Sequence, residues 1–355
     1  MKKAFYINLP LAAILSPIYV FIFPSYNPRK ELTNLQKLGR IDFIGSFLTA
    51  AAFSLFMVVL AFGGSTFAWN SGPTIALWVV WGVCVITLIP QQVFTIFTTF
   101  EDRVFPVHLL KNYQILLLYI ATSSAAAASG ITIYYVPLFF QFTRGDSALQ
   151  AAVRLLPYII LFIFCVMLAG GSLPVVQRYN IYYIVGGMLA VAGGALLFTI
   201  SPTTSPGSIY GYEALVAIGT GLVFQNSYAI AAAIVPKRDH GGAIGLLNVA
   251  QIGSTALSLA IAGTLFQNLG FNTLKDGFAA AGIALPDDYI RSALAGSISP
   301  IFQSGNAVAI EIAIAAVSST IRRVFGTVLA GGALLLVSGL LMPWSKIDFT
   351  AALEE

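Results

Sequence analysis

Charge is what this sequence has least of. Its 355 residues include 18 Lys and Arg and 14 Asp and Glu, so 9% are charged, about a third of the share usual in a soluble domain. The net charge of +4 gives no nucleic-acid signal, because the basic residues sit in loops at the ends of apolar segments. Cysteine is nearly absent. Cys84 and Cys165 both fall inside apolar runs with no second Cys or His nearby, which leaves no basis for a disulfide framework or a metal site, so both read as buried apolar residues. The two histidines, His108 and His240, lie in loops without a nucleophile or acid pattern, and no Walker loop occurs. The sequence therefore offers no enzyme centre, no ATP-driven pump and no cofactor or metal site.

What is abundant is long apolar sequence. Nine runs lack any Asp, Glu, Lys or Arg: 5–23, 43–62, 75–96, 115–136, 155–173, 181–200, 214–235, 243–266 and 324–342. About 20 such residues in a helix cross the roughly 30 Å hydrocarbon core of a bilayer. A soluble helix keeps a polar face, whereas these carry charge only at their ends. The chain reads as an all-α polytopic membrane protein. Its 32 glycines fit this class, since helices in lipid associate by close contact at small residues. Gly186-Gly187 with Gly193-Gly194, Gly219 with Gly221, and Gly331-Gly332 are the candidate contacts.

Lys2-Lys3 before an apolar stretch imitates a signal peptide, but Asn8, Pro10 and the lack of a small-x-small site before Pro24 favour a spanning helix. Loop charge then orients the chain. Alternating from a cytoplasmic first loop places Arg29, Lys30, Lys37, Arg40, Arg103, Lys111, Arg178, Lys237, Arg238 and Lys346 inside, and Lys2, Lys3, Arg144 and Arg154 outside. The C-terminus is expected inside and the N-terminus outside, an odd place for Lys2-Lys3. The segment 267–323 reads as a long outer loop, within which 307–321 is expected as a surface helix leading into the last span.

At this point the residues resemble a family. Phe5-Tyr6-Ile7-Asn8-Leu9-Pro10 is similar to the start of the sixth helix of fungal drug:proton antiporters in the fourteen-helix branch of the major facilitator superfamily. Leu38-Gly39-Arg40-Ile41-Asp42-Phe43-Ile44-Gly45, then Ala61-Phe62-Gly63-Gly64 with Phe67-Ala68-Trp69, resemble that branch's extra helix pair. Phe105-Pro106-Val107-His108-Leu109-Leu110-Lys111 resembles the lead into the seventh transporter helix. The most specific match is Tyr134-Tyr135-Val136-Pro137-Leu138-Phe139-Phe140-Gln141 followed by 145–157, with 210–225 and 248–253 adding two more. The resemblance implies a leading helix and basic loop (1–40), a two-helix linker (41–112) and a C-terminal six-helix half (113–355), without the family's first five helices. It also implies proton-coupled efflux of small apolar molecules, xenobiotics or secondary metabolites, by a full-length parent. This chain alone is expected to be inactive. The partners implied are the lipid bilayer, a small apolar substrate, protons, and an N-terminal half or a second copy. The alternative is a non-transporting membrane protein or a half that assembles with a separate N-terminal half. A plasma-membrane location is expected ahead of the vacuole.

Polar groups at membrane depth are costly and therefore the best site candidates. Gln225, Asn226, Asn248 and Gln251 supply four amides, with Asn248 and Gln251 three residues apart on one face. They could bind substrate in a cavity facing the missing half, or simply join helices at about 0.6 kcal/mol each. Tyr134, Tyr135 and Gln141 could contact an apolar ligand or form an interfacial belt, and Phe139 is expected in that belt. Arg154 reads as an interfacial arginine with its stem snorkelling. Asp42 and Glu213 sit at run boundaries, where carboxylates can stay hydrated, and neither reads as a midplane proton carrier.

Overall fold

A computed structural model describes residues 6–24, 31–296, 299–347 and 349; Lys2, Lys3, Phe5, Arg29 and Lys30 lie outside them. The chain divides into two units, Met1–Ile41 and Asp42–Glu355. The first holds α1 (Asn8–Pro17), which runs into a π-helical turn at Ile18–Ile22, and α2 (Asn34–Gly39), opened by a capping box between Thr33 and Gln36. Pro17 explains the π turn, because proline removes a backbone donor and its ring crowds the preceding turn. Pro24 then pushes Phe23 into extended backbone (ψ 127°). Among the described residues the first apolar run gives a helix of 15 residues over Asn8–Ile22, below span length.

The other eight runs form the eight helices of span length found among the described residues. They comprise α3 (Phe43–Phe62), α4 (Gly72–Val93), α5 (Tyr113–Arg144), α6 (Ala148–Arg154) leading into α7 (Leu156–Val176), and α8 (Asn180–Leu197). There follow α9 (Pro206–Gly221) with α10 (Asn226–Ile234), and α11 (His240–Asn248) with α12 (Ser254–Ala280). Short α13 (Asp287–Ser292) and α14 (Pro300–Gln303) precede α15 (Ala307–Leu341). No strand occurs among the described residues, only an isolated bridge between Gly63 and Phe67.

Small residues set the packing around α8. A methyl built on Gly219 would lie 2.5 Å from the carbonyl oxygen of Gly186, and one on Gly332 would lie 2.7 Å from the backbone nitrogen of Val191. α9 thus closes on one side of α8 and α15 on the other, as expected of helices that associate in lipid. Two apolar cores follow one another along α5. One gathers Ile115, Leu118 and Ala125 with Tyr183, Ile230 and Leu335, the other Ala128, Ile131 and Phe139 with Val216, Phe266 and Val324. Phe139 is wholly buried in the second, which corrects its expected place in an interfacial belt. Cys165 is buried, whereas Cys84 is half-buried.

The segment 267–323 is mostly helical. α12 continues to Ala280, and Leu274, Phe278, Ile290, Leu294 and Ile301 extend the second core. Residues 307–321 are no separate surface helix, because α15 runs unbroken for 35 residues, about 52 Å. Neither Gly nor Pro interrupts Ile321-Arg322-Arg323-Val324, so nothing ends the helix before the apolar run begins.

The helix pair α3–α4 is anchored by Asp42. Its carboxylate caps α3 through Gly45 N–H (2.7 Å) and accepts from Gln91 Nε2 (3.0 Å) and Gln92 Nε2 (2.8 Å). It is 3% exposed, which corrects the hydrated boundary position; at a helix N-terminus its charge is favoured by the cap bond and the helix dipole. The pair lies along α12, where Thr264 Oγ1 donates to Leu60 O at 2.8 Å. Beyond α4, Arg103 donates to Gln92 O (3.1 Å) and faces His108 Nδ1 (2.5 Å), whose Nε2 lies 3.3 Å from Asp239. Burial pushes the Arg103 guanidinium below its ordinary value.

Candidate functional site

Two helices lose regular geometry where the sequence places its amides. Between α9 and α10 the chain turns through 222–225, and between α11 and α12 it winds as a π-helix over Val249–Gly253. Each irregularity frees backbone groups that need partners at membrane depth. Side chains supply them: Asn226 Nδ2 donates to Leu222 O at 2.9 Å, and Gln251 Nε2 reaches across to Phe224 O at 2.8 Å.

Gln251 and Asn248 are then joined by a residue that the apolar-run reading passes over. The Tyr228 hydroxyl lies 3.0 Å from Asn248 Oδ1 and 3.0 Å from Gln251 Oε1, so α10, α11 and the π turn meet at one phenol. Of the four amides, Asn248 and Gln251 come together, Asn226 bonds back to Leu222 on the preceding turn, and Gln225 is exposed on the same turn. Asn248 is also exposed and shares a helix face with exposed Ile244 and Ile252. This face offers a hydrogen-bonding amide between apolar side chains, suited to a ligand that is mostly apolar with a polar group.

The α5 candidates sit further along. Gly130 packs on Thr255, one turn past Gln251, and Tyr134 one turn beyond is 58% exposed. Tyr135 is buried against Phe266 (ring centroids 5.8 Å) and serves the core. Gln141 is half-buried near the end of α5. Apolar pockets line the seam between the helix pair and the bundle, one of about 350 Å³ bounded by Phe53, Leu88, Phe105, Tyr119 and Val249 among others.

Arg154 and Glu213 depart from expectation. Arg154 is no free interfacial arginine: it pairs with Asp146, donates to Tyr210 OH at 2.9 Å and stacks over Phe140 at 4.7 Å. Glu213 is not hydrated. It is 0% exposed and neither carboxyl oxygen has a hydrogen-bond partner. The error has a local cause, since α9 starts at Pro206, eight residues before the apolar run, and carries Glu213 inside.

A six-helix bundle with a broken helix, a helix pair beside it and amides at the break defines the class: a multi-pass membrane protein of the transporter type. No protein-family model matches the chain. It is 36% identical over 96% of its length to the phomenoic acid biosynthesis cluster MFS-type transporter of Leptosphaeria maculans, and spans 56% of that protein. It is 34% identical over 95% of its length to efflux pump DEP3 of Fusarium langsethiae and 34% over 96% to MFS-type transporter patC of Penicillium expansum, spanning 60% and 62% of them. A solved structure of a bacterial homolog of the human lysosomal transporter Spinster shares the fold at TM-score 0.50 and 13% identity, over 87% of this chain and 65% of that one. The chain belongs to the fungal MFS-type transporter and efflux-pump family, and spans about six-tenths of the length of the relatives named here.

Proposed function

We propose that this chain supplies the substrate-binding wall of a proton-coupled exporter of small apolar molecules at the plasma membrane. The observation that carries the reading is the pairing of two interrupted helices. The 222–225 turn and the π turn at Val249–Gly253 meet at Tyr228, Asn248 and Gln251. Interrupted helices at the junction of two transporter halves are where such proteins place their sites. The exposed face with Ile244, Asn248 and Ile252 is the wall that an N-terminal half would cover. The relatives are named as efflux pumps and MFS-type transporters, one of a phomenoic acid biosynthesis cluster, which supports export of an apolar metabolite or xenobiotic. In this reading the helix pair 43–96 packs beside the bundle without touching substrate.

Alternating access requires two halves moving about a shared site. Expressed alone in yeast lacking its own drug exporters, the 355-residue chain is expected to leave efflux of apolar dyes at background. Joined to or co-expressed with an N-terminal half from the family, it is expected to restore efflux that stops when the proton gradient is collapsed. Gradient-dependent efflux by the chain alone, with no partner co-purifying, would overturn the proposal.

A further inference from the structure

The span Pro206–Ile234 buries a polar residue every seven positions. Glu213, Thr220 and Ser227 are each 0% exposed, and seven residues advance a helix by about 10.5 Å. Two of the three are partnered. Tyr158 OH donates to Ser129 Oγ (2.9 Å) and lies 3.5 Å from Thr220 Oγ1, which itself donates to Val216 O (2.7 Å). Ser227 Oγ accepts from Thr122 Oγ1 at 2.6 Å and lies 2.7 Å from Tyr183 OH. Glu213 has no partner on either oxygen.

A carboxylate in that position would carry an uncompensated charge in a medium that solvates it poorly, whereas the neutral acid is far less costly. The helices packed on α9 provide no compensating cation. α5 contains one charged residue, Arg144, whose guanidinium donates to Thr204 O at 2.8 Å. α7 brings Tyr158, and Arg154 just before it is committed to Asp146 and Tyr210. α8 has no charged residue, and its Tyr182 and Tyr183 are bonded to Ser172 and Ser227. Glu213 shares a face of α9 with Tyr210, three residues away, and with Thr220. It therefore lies between an ion-paired end, Asp146–Arg154–Tyr210, and a buried cluster of hydroxyls.

We propose that Glu213 is the carboxyl through which this half takes up and releases the coupling proton, an assignment that rests on the proton-antiport reading above. In the conformation described, Glu213 holds the proton. On release the O–H bond of its carboxyl breaks and the proton passes to water admitted from the Arg154 end. The electron pair stays on the carboxylate oxygen, and the guanidinium held one turn away at Tyr210 is the cation placed to receive that charge as Asp146 gives it up.

The test uses the transporter in which this chain is joined to an N-terminal half, purified and reconstituted in vesicles. Infrared spectroscopy near neutral pH is expected to show the carbonyl stretch of a buried protonated acid, absent in Glu213→Gln. The same variant is expected to lose efflux driven by a pH gradient while still exchanging labelled for unlabelled substrate at equal pH, which shows that it folds and binds. Glu213→Asp is expected to restore gradient-driven efflux. A gradient-dependent wild type whose Glu213→Gln variant stays gradient-dependent, or an acid band that survives in that variant, overturns the assignment of Glu213 alone. Wild-type efflux indifferent to the gradient overturns the antiport reading and the proposal with it.

Discussion

Asn226 and Asn248 are the same residue type, each beside one of the two breaks, yet they perform opposite tasks. Asn226 is 3% exposed and returns a hydrogen bond to Leu222 O, a carbonyl that the break would otherwise orphan. Asn248 is exposed and receives the Tyr228 hydroxyl. Asn226→Ala is therefore expected to cost about 1 kcal/mol of stability with substrate affinity unchanged. Asn248→Ala is expected to leave stability within about 0.5 kcal/mol and to weaken substrate binding. Thermal unfolding with and without substrate separates the two, and equal effects of both substitutions would contradict these roles. The amides were legible in the sequence because a polar group inside an apolar run costs free energy. Tyr228 was not, since a phenol in such a run fits a core or an interface equally well. Asp42 is buried because Gln91 and Gln92 of α4 close on its carboxylate, and Glu213 because a helix need not begin where its apolar run begins. Pro206 and Ser205 start α9 well ahead of Ala214.

Some helices follow their apolar runs closely, as α3 does in ending at Phe62 before Gly63. The departures come from continuity that hydropathy does not report. α12 and α15 both extend into 267–323, where Leu274 and Phe278 of α12 and Ala313 and Val317 of α15 build the second core with Ile290 and Leu294. The glycine pairs were readable as contacts, and the structure supplies their partners: Gly186 with Gly219, and Gly332 with Val191. Leucine at Gly219 would press on backbone at Gly186 and Ala190, which no rotamer change relieves. Gly219→Leu is thus expected to cost about 1–3 kcal/mol or more. Gly170→Ala, with no atom within 4 Å of the new methyl, is expected to raise stability by about 0.5–1 kcal/mol. Chemical unfolding of both variants in detergent checks the pair; a stable Gly219→Leu would show that the α8–α9 contact is looser than described.

For the whole molecule, the excess of lysine and arginine in alternate loops predicts a cytoplasmic C-terminus. Glycosylation acceptors set between α3 and α4, near Trp69, and between α12 and α13, near Pro286, are expected to be modified. An acceptor near Arg178, between α7 and α8, is expected to stay bare. Modification of the Arg178 site alone would invert the topology. The proposal for the whole molecule is that the face bearing Asn248 meets substrate. It is tested most directly by thiol labelling of the transporter joined to its N-terminal half, with Cys84 and Cys165 replaced by serine. Asn248→Cys is expected to react with a water-soluble maleimide and to be protected by a transported dye, while Asn226→Cys stays unreactive. Labelling at 248 that no transported dye slows, in a variant that still exports those dyes, would contradict the account.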